Sequence, residues 1–397
     1  MRPSPRLIIC IALSATLLAC GGSSSSPGSA SANNSNVLPI VVNSGPANLY
    51  FNGAFATVTV CVPGSTTSCQ SIGGVLVDTG SSGLRILSSA LTLSLPQQLD
   101  PSGNPVAECG QFEDGFTWGP VASADVMLGS ERAPSVPIQV IGSPQFSTVP
   151  RGCTSSGLTS ESTLDTLQAN GVLGIGLFRQ DCGFGCALPG SSNPGVYFSC
   201  VASGCSPIAE PIERQLQNPV AMFPRDNNGV IVSLPSVPEA GAFTVSGVVI
   251  FGIGTQSNNA LGAAKVLTTD LDGTIVTTFN GKSYTGSFID SGSNGLYFLD
   301  PATTGLPVCP DQKDFYCPST TQMLMATLRG TNSNAAPATF SIANADALPG
   351  AFNAFNDVGG PNPGAFDWGL PFFFGRQVFT AIEGASTPGG SGPFFAF

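Results

Sequence analysis

The sequence predicts a mainly β protein made of two related halves. Three observations lead there. Its 397 residues include 49 Gly and 33 Pro, which break the chain into short runs rather than long helices. Those runs are rich in β-branched and aromatic residues. An eight-residue segment around Asp78 returns, with the same chemistry at each place, around Asp290. A length near 400 fits two lobes, and 42% hydrophobic residues are enough to fill a large core.

The elements follow in chain order. Arg2 and Arg6 precede an apolar run, Leu7 to Leu18, too short to span a bilayer as a helix and suited to a signal segment over 1–19. Leu17-Leu18-Ala19-Cys20 resembles the lipobox of bacterial lipoproteins. The resemblance implies cleavage before Cys20, its acylation, and a membrane partner through that lipid anchor. By resemblance to enterobacterial sorting rules, Gly21 rather than Asp after the cysteine favours the outer membrane. The other reading is an ordinary secretory signal cleaved near Ala19, with Cys20 incidental. Residues 21–36 are nearly all Gly, Ser, Ala and Asn, a composition that cannot pack, so 20–44 is expected to be a flexible tether.

From residue 45 onward, strands are expected at Leu49 to Val62, Val75 to Val77, Val136 to Ile141, Val230 to Leu234, Phe243 to Phe251 and Thr274 to Phe279. Helix signals fall at Thr159 to Asn170, Ala209 to Asn218 and Thr320 to Arg329. The expected lobes are 45–255, with the first Asp segment, and 256–397, with the second.

Twelve cysteines are present. Cys10 leaves with the signal and Cys20 takes the lipid. An even set in an exported chain reads as disulfides. Close spacing suggests Cys61–Cys69, Cys182–Cys186, Cys200–Cys205 and Cys309–Cys317, leaving Cys109 with Cys153; spacing alone does not prove this pairing. A metal at Cys182 and Cys186 would need a second pair or histidines, so no metal and no cofactor is expected.

Composition narrows the chemistry. With no histidine, Ser-His-Asp and Cys-His catalysis and imidazole proton transfer are excluded. A formal net charge of -11 argues against a nucleic-acid partner. What remains is in the echo. Val77-Asp78-Thr79-Gly80-Ser81-Ser82-Gly83-Leu84 and Ile289-Asp290-Ser291-Gly292-Ser293-Asn294-Gly295-Leu296 each put an Asp at the end of an apolar strand, then a hydroxyl residue, Gly and Ser. Gly permits a tight turn and the close approach of a second loop. Hydroxyls can bond carboxylate oxygens. Two such loops meeting would pair two carboxyls that share a proton. One then activates water while the other donates to a carbonyl, which hydrolyses amides without His or metal. The bland alternative is a pair of ordinary Asp-Ser-Gly turns.

On these motifs the chain resembles the bilobal pepsin-like aspartic peptidases over nearly all of 45–397, and also a set of bacterial lipoproteins of unassigned function. The resemblance implies a bilobal acid-protease fold with a cleft, a few short helices, and a peptide or protein substrate bound by a monomer. It makes Asp78 and Asp290 the catalytic pair. Thr79 and Ser291 would interlock the loops, Ser81 and Ser293 would bond the outer carboxylate oxygens, and Gly80 and Gly292 complete them. Gly171 to Gly176 resembles the element crossing behind the first loop, Gly247 to Gly252 a strand of the inter-lobe sheet, and Trp368 to Phe374 the second crossing element.

Some features depart from that family. Trp118 stands where the flap tyrosine is expected; it either covers the pair or is a half-buried hairpin aromatic. The usual Gly of the second crossing element is expected to fall at Pro371. Arg85 is read as a surface charge rather than a partner of the loop. The cysteine-bearing insertion between Gly176 and Cys205 has no assigned counterpart. Two functions therefore stand: a membrane-anchored aspartic endopeptidase cutting between apolar residues, and a catalytically silent surface lipoprotein of this fold that captures peptides or a partner protein.

Overall fold

A computed structural model describes residues 36–155 and 157–397. The signal segment, Cys20 and the tether through residue 35 lie outside the described residues. The described residues form one compact unit.

Among the described residues, strands gather into a 16-stranded sheet, a seven-stranded sheet and a two-stranded hairpin. Seven strands open the fold: β1 (Val37–Asn43), β2 (Gly53–Cys61), β3 (Cys69–Asp78), β4 (Ser82–Leu87), β5 (Val106–Gln111), β6 (Gly115–Leu128) and β7 (Glu131–Ile141). β1 lies inside the stretch expected to be tether. Leu38, Ile40 and Val42 alternate inward and are buried, and this period-two pattern recruits the segment to the sheet. The tether thus ends before Val37 rather than at residue 44.

β1 is flanked by β2 and by Val245–Phe251. That strand pairs with Gly229–Leu234, which pairs in turn with Arg376–Ala381 from the C-terminal half. The sheet therefore runs continuously from one half of the sequence into the other. The core fills with Val, Ile and Leu from the first half and with Phe298, Phe366, Trp368, Phe372 and Phe373 from the second. The aromatic-rich end of the chain is thus core: Phe379, Phe394 and Phe395 are buried.

Two helix expectations shrink and one fails. Thr159 to Asn170 yields only Leu164–Leu167, opened by a Thr163 capping box. Ala209 to Asn218 yields a single 3-10 turn, Ile212–Arg214. Thr320 to Arg329 contains a strand, Gln322–Arg329, paired along its length with Ala335–Ile342. Its Met, Leu and Ala favour helix in isolation. Its alternating exposure is nevertheless that of a strand, and cross-strand pairing overrides propensity.

Four disulfides join the cysteines that close spacing suggested, and the fifth joins the remaining pair, Cys109 and Cys153. Cys182 and Cys186 are bonded to each other. The insertion after Gly176 now has a place. Its hairpin, Tyr197–Val201 with Gly204–Pro207, adds two strands to the edge of β5.

Candidate active site

β3 ends at Asp78, and the strand Lys282–Ile289 delivers Asp290 in the same way. Behind each loop a second strand crosses. Gly171–Ile175 runs parallel to β3, with Val77 opposite Leu173 and Asp78 opposite Gly174, and antiparallel to β4. Asn362–Trp368 repeats the arrangement, parallel to Phe288 and Ile289 and antiparallel to the Leu296–Leu299 strand. The Asp290 N–H donates to Trp368 O at 3.1 Å. Gly369 therefore takes the glycine position, not Pro371: a Cβ there would lie 2.1 Å from Gly295 O. Pro371 instead sits in the buried 3-10 turn Leu370–Phe373.

The two loops interlock through their hydroxyls. The Ser291 N–H donates to Thr79 Oγ1 at 2.9 Å, and the Thr79 N–H to Ser291 Oγ at 3.2 Å. Ser291 Oγ also donates to Val77 O at 2.8 Å. Each carboxyl is held by its own turn. Asp78 Oδ1 accepts from the Gly80 and Ser81 N–H groups, and its Oδ2 from Ser81 Oγ at 2.5 Å. Asp290 Oδ1 accepts from the Gly292 N–H at 2.7 Å, and its Oδ2 from Ser293 Oγ at 2.9 Å. The glycines are needed for close approach. A Cβ on Gly80 would lie 2.7 Å from Asp290 Cγ, and one on Gly292 2.9 Å from Asp78 Cγ.

Both carboxyls are buried. Burial pushes the Asp290 carboxyl well above the usual range; the Asp78 and Asp367 charges and a hydrogen bond with Asp78 push the same way, against the Gly292 N–H. Two carboxyls this close hold one proton between them.

Trp118 does not cover this pair. It lies in β6, opposite Cys109, with its indole N–H donated to Phe146 O at 2.8 Å and its ring edge-on to Phe198. It is 2% exposed. It anchors the β5–β6 hairpin to a satellite core with Cys109 and Cys153. The hairpin tip, Phe112 to Asp114, carries Glu113 and Asp114 instead, and their charges act on Asp367, Tyr50, Tyr297 and Glu161. Burial, then the Asp114 charge, raises the Glu161 carboxyl to about 7.

The sequence alone did not single out Tyr50, Asn52, Glu108, Asp181 or Asp367. Tyr50 Oη donates to Gly292 O at 3.4 Å. Asn52 clamps the second loop, donating to Asn294 O and Phe355 O at 2.9 Å each and accepting from the Phe355 N–H. Arg85, expected at the surface, is 4% exposed. Its guanidinium reaches Glu108 Oε1 at 2.5 Å, Asp181 Oδ2 at 3.2 Å and Ser82 O at 3.0 Å. Tyr197 Oη donates to Asp181 Oδ1 at 2.7 Å. Burial opposes the Arg85 charge, but Glu108 and Asp181 hold its pKa above the ordinary value. This network ties the segment after the first loop to the hairpin strand β5 and to the insertion. Gly83, at φ +100, turns beside Leu216 Cβ, 2.9 Å from where its own Cβ would stand, so a larger residue is excluded there.

The architecture is that of the pepsin-like fold: mainly β, in two halves that each present an Asp loop backed by a crossing strand. A crystal structure of an aspartic proteinase from Irpex lacteus shares it, with a TM-score of 0.52 and 16% identity over 91% of this chain and 96% of that one. Residues 32–397 match the family described as "Protein of unknown function (DUF3443)", and the chain belongs to that family. No curated protein matches it.

Proposed function

We propose that the protein is an aspartic endopeptidase that hydrolyses peptide bonds with Asp78 and Asp290. The observation that carries this reading is the interlocked pair itself: two buried carboxyls, each oriented by its own Gly and Ser, with the Asp290 carboxyl raised by burial and by the Asp78 charge. In this mechanism one proton serves the pair and starts on Asp290. Asp78 takes a proton from water as the water oxygen bonds to the scissile carbonyl carbon, and Asp290 gives its proton to the carbonyl oxygen. The tetrahedral diol then breaks its C–N bond. Asp78 returns a proton to the leaving nitrogen, and Asp290 takes one from the diol, so the pair ends as it began. One chain supplies both loops, so the site is complete in a monomer. Export and an outer-membrane anchor at Cys20 belong to the same reading, supported by the Leu7 to Cys20 sequence and five disulfides.

The second reading, capture without turnover, draws on the buried Trp118, which offers no flap donor to a substrate. Calorimetry separates the two. A peptide analogue with a hydroxyl-bearing carbon in place of the scissile amide is compared with its parent peptide. An enzyme binds the analogue at least ~100-fold more tightly, and Asp290→Asn removes the difference. Equal affinities for the two would leave the capture reading.

A further inference from the structure

Asp367 lies in the second crossing strand, opposite Phe288 on one side and Tyr297 on the other. Its neighbours Phe366 and Trp368 turn into the core, where Trp368 Nε1 donates to Thr277 Oγ1. Strand alternation sends Asp367 to the opposite face. On that face Tyr297 stands opposite it. The Asp78 and Glu113 charges act on Asp367, and Asp367 acts in turn on Asp290 and Tyr297. Asp367 is 7% exposed. Its Oδ1 is buried and has no hydrogen-bond partner. Among the described residues no Lys or Arg forms an ion pair with it. A buried carboxyl with an unmet oxygen is destabilising unless something satisfies it.

The internal symmetry says where that something enters. In the first half Leu76 faces Val172 and Val77 faces Leu173. In the second, Phe288 faces Asp367 and Ile289 faces Trp368. Asp367 thus holds, relative to Asp290, the place that Val172 holds relative to Asp78. An extended peptide laid across the two loops would pass these equivalent places on opposite sides of its scissile bond. One is an aliphatic side chain and the other a carboxyl.

We propose that Asp367 is a specificity-determining residue that receives the cationic side chain, Lys or Arg, of the substrate residue on one side of the scissile bond. This rests on the peptidase reading and narrows it, because cleavage then falls between an apolar residue and a basic one. A Lys or Arg donor would pair with Asp367 Oδ1 and displace the proton of a carboxyl that burial otherwise raises to about 8, and the acidic surroundings of Asp78, Asp290 and Glu113 favour a cation and disfavour an acidic residue at that position.

The test uses matched peptides that differ only beside the scissile bond, with Lys, norleucine or Glu at that position, each series run on both sides. On one side, kcat/KM for Lys should exceed that for norleucine at least tenfold, about 1.4 kcal/mol, and Glu should be the poorest. Asp367→Leu should reverse the Lys-to-norleucine ratio; Asp367→Asn, nearly isosteric, should bring it close to one if the Leu variant does not fold. A structural role would lower both rates together and leave the ratio unchanged. Cleavage with no Lys preference on either side overturns this proposal and leaves the peptidase reading intact. If no peptide is cleaved, calorimetric affinities of the same peptides decide: a tenfold Lys preference lost in Asp367→Asn supports the site, and equal affinities refute it.

Discussion

Replacing Arg85 with Met tests the buried network behind the Asp78 loop. Among the described residues Arg85 is the only cation paired with Glu108 and Asp181, and all three side chains are at most 5% exposed. Met keeps most of the volume and removes the charge. Glu108 Oε1 then loses its partner, while Glu108 Oε2 already has none. Breaking one side of a buried ion pair costs about 3–5 kcal/mol. For roughly 360 ordered residues, an unfolding entropy of about 2.1 cal/mol/K per residue turns this into a Tm drop of about 4–7 °C. The assay is thermal unfolding followed by circular dichroism, with Arg85→Met, Glu108→Gln and the double variant. Because the two residues share one interaction, the double variant should lose clearly less than the sum of the singles. A Tm drop under 1 °C for Arg85→Met, or strict additivity, would refute the reasoning.

Two more predictions concern stability. Burial raises the carboxyls of Glu161 to about 7, Asp357 to about 6 and Asp367 to about 8. A carboxyl whose folded pKa lies above its unfolded one stabilises fully below the unfolded value, near 4, and loses that contribution as pH rises through the folded value. Tm should therefore fall from pH 5 to pH 8, a window that no histidine complicates; a flat or rising Tm across it would contradict the burial of these groups. The Cys109–Cys153 bridge closes a 44-residue separation, for which chain entropy gives about 4 kcal/mol. The double Cys→Ala variant should melt lower by a corresponding margin in denaturant titration, and an unchanged midpoint would count against the bridge.

What the sequence made readable was local and repeated. The Asp78 and Asp290 loops announce themselves because eight successive residues carry the chemistry twice, and the interlocking bonds join residues at matching places in the echo. Short disulfide loops were readable from spacing for the same reason. What escaped depends on partners distant in sequence. Arg85 meets Glu108 and Asp181 only because β4 and β5 join one sheet through β6 and β7, with the insertion paired to β5. Trp118 faces inward because Phe146 and Phe198 receive it. A two-residue offset hid Asp367: with Pro371 at the glycine position, the acidic residue in front of Trp368 had no role. Strand register corrects this, since it is set by the pairing of Phe288 and Ile289. Gln322–Arg329 was misread because composition suggested a helix while burial alternated.

The central claim is that Asp78 and Asp290 together hydrolyse peptide bonds. The most direct measurement incubates residues 35–397, folded with their disulfides, with an unfolded protein from pH 3 to pH 7, alongside Asp78→Asn and Asp290→Asn. The account predicts internal cleavage by the wild type, failing toward higher pH as the shared proton is lost, and a drop of at least ~1,000-fold in either variant. Cleavage that survives either substitution, or none at any pH from protein shown to be folded, would contradict it.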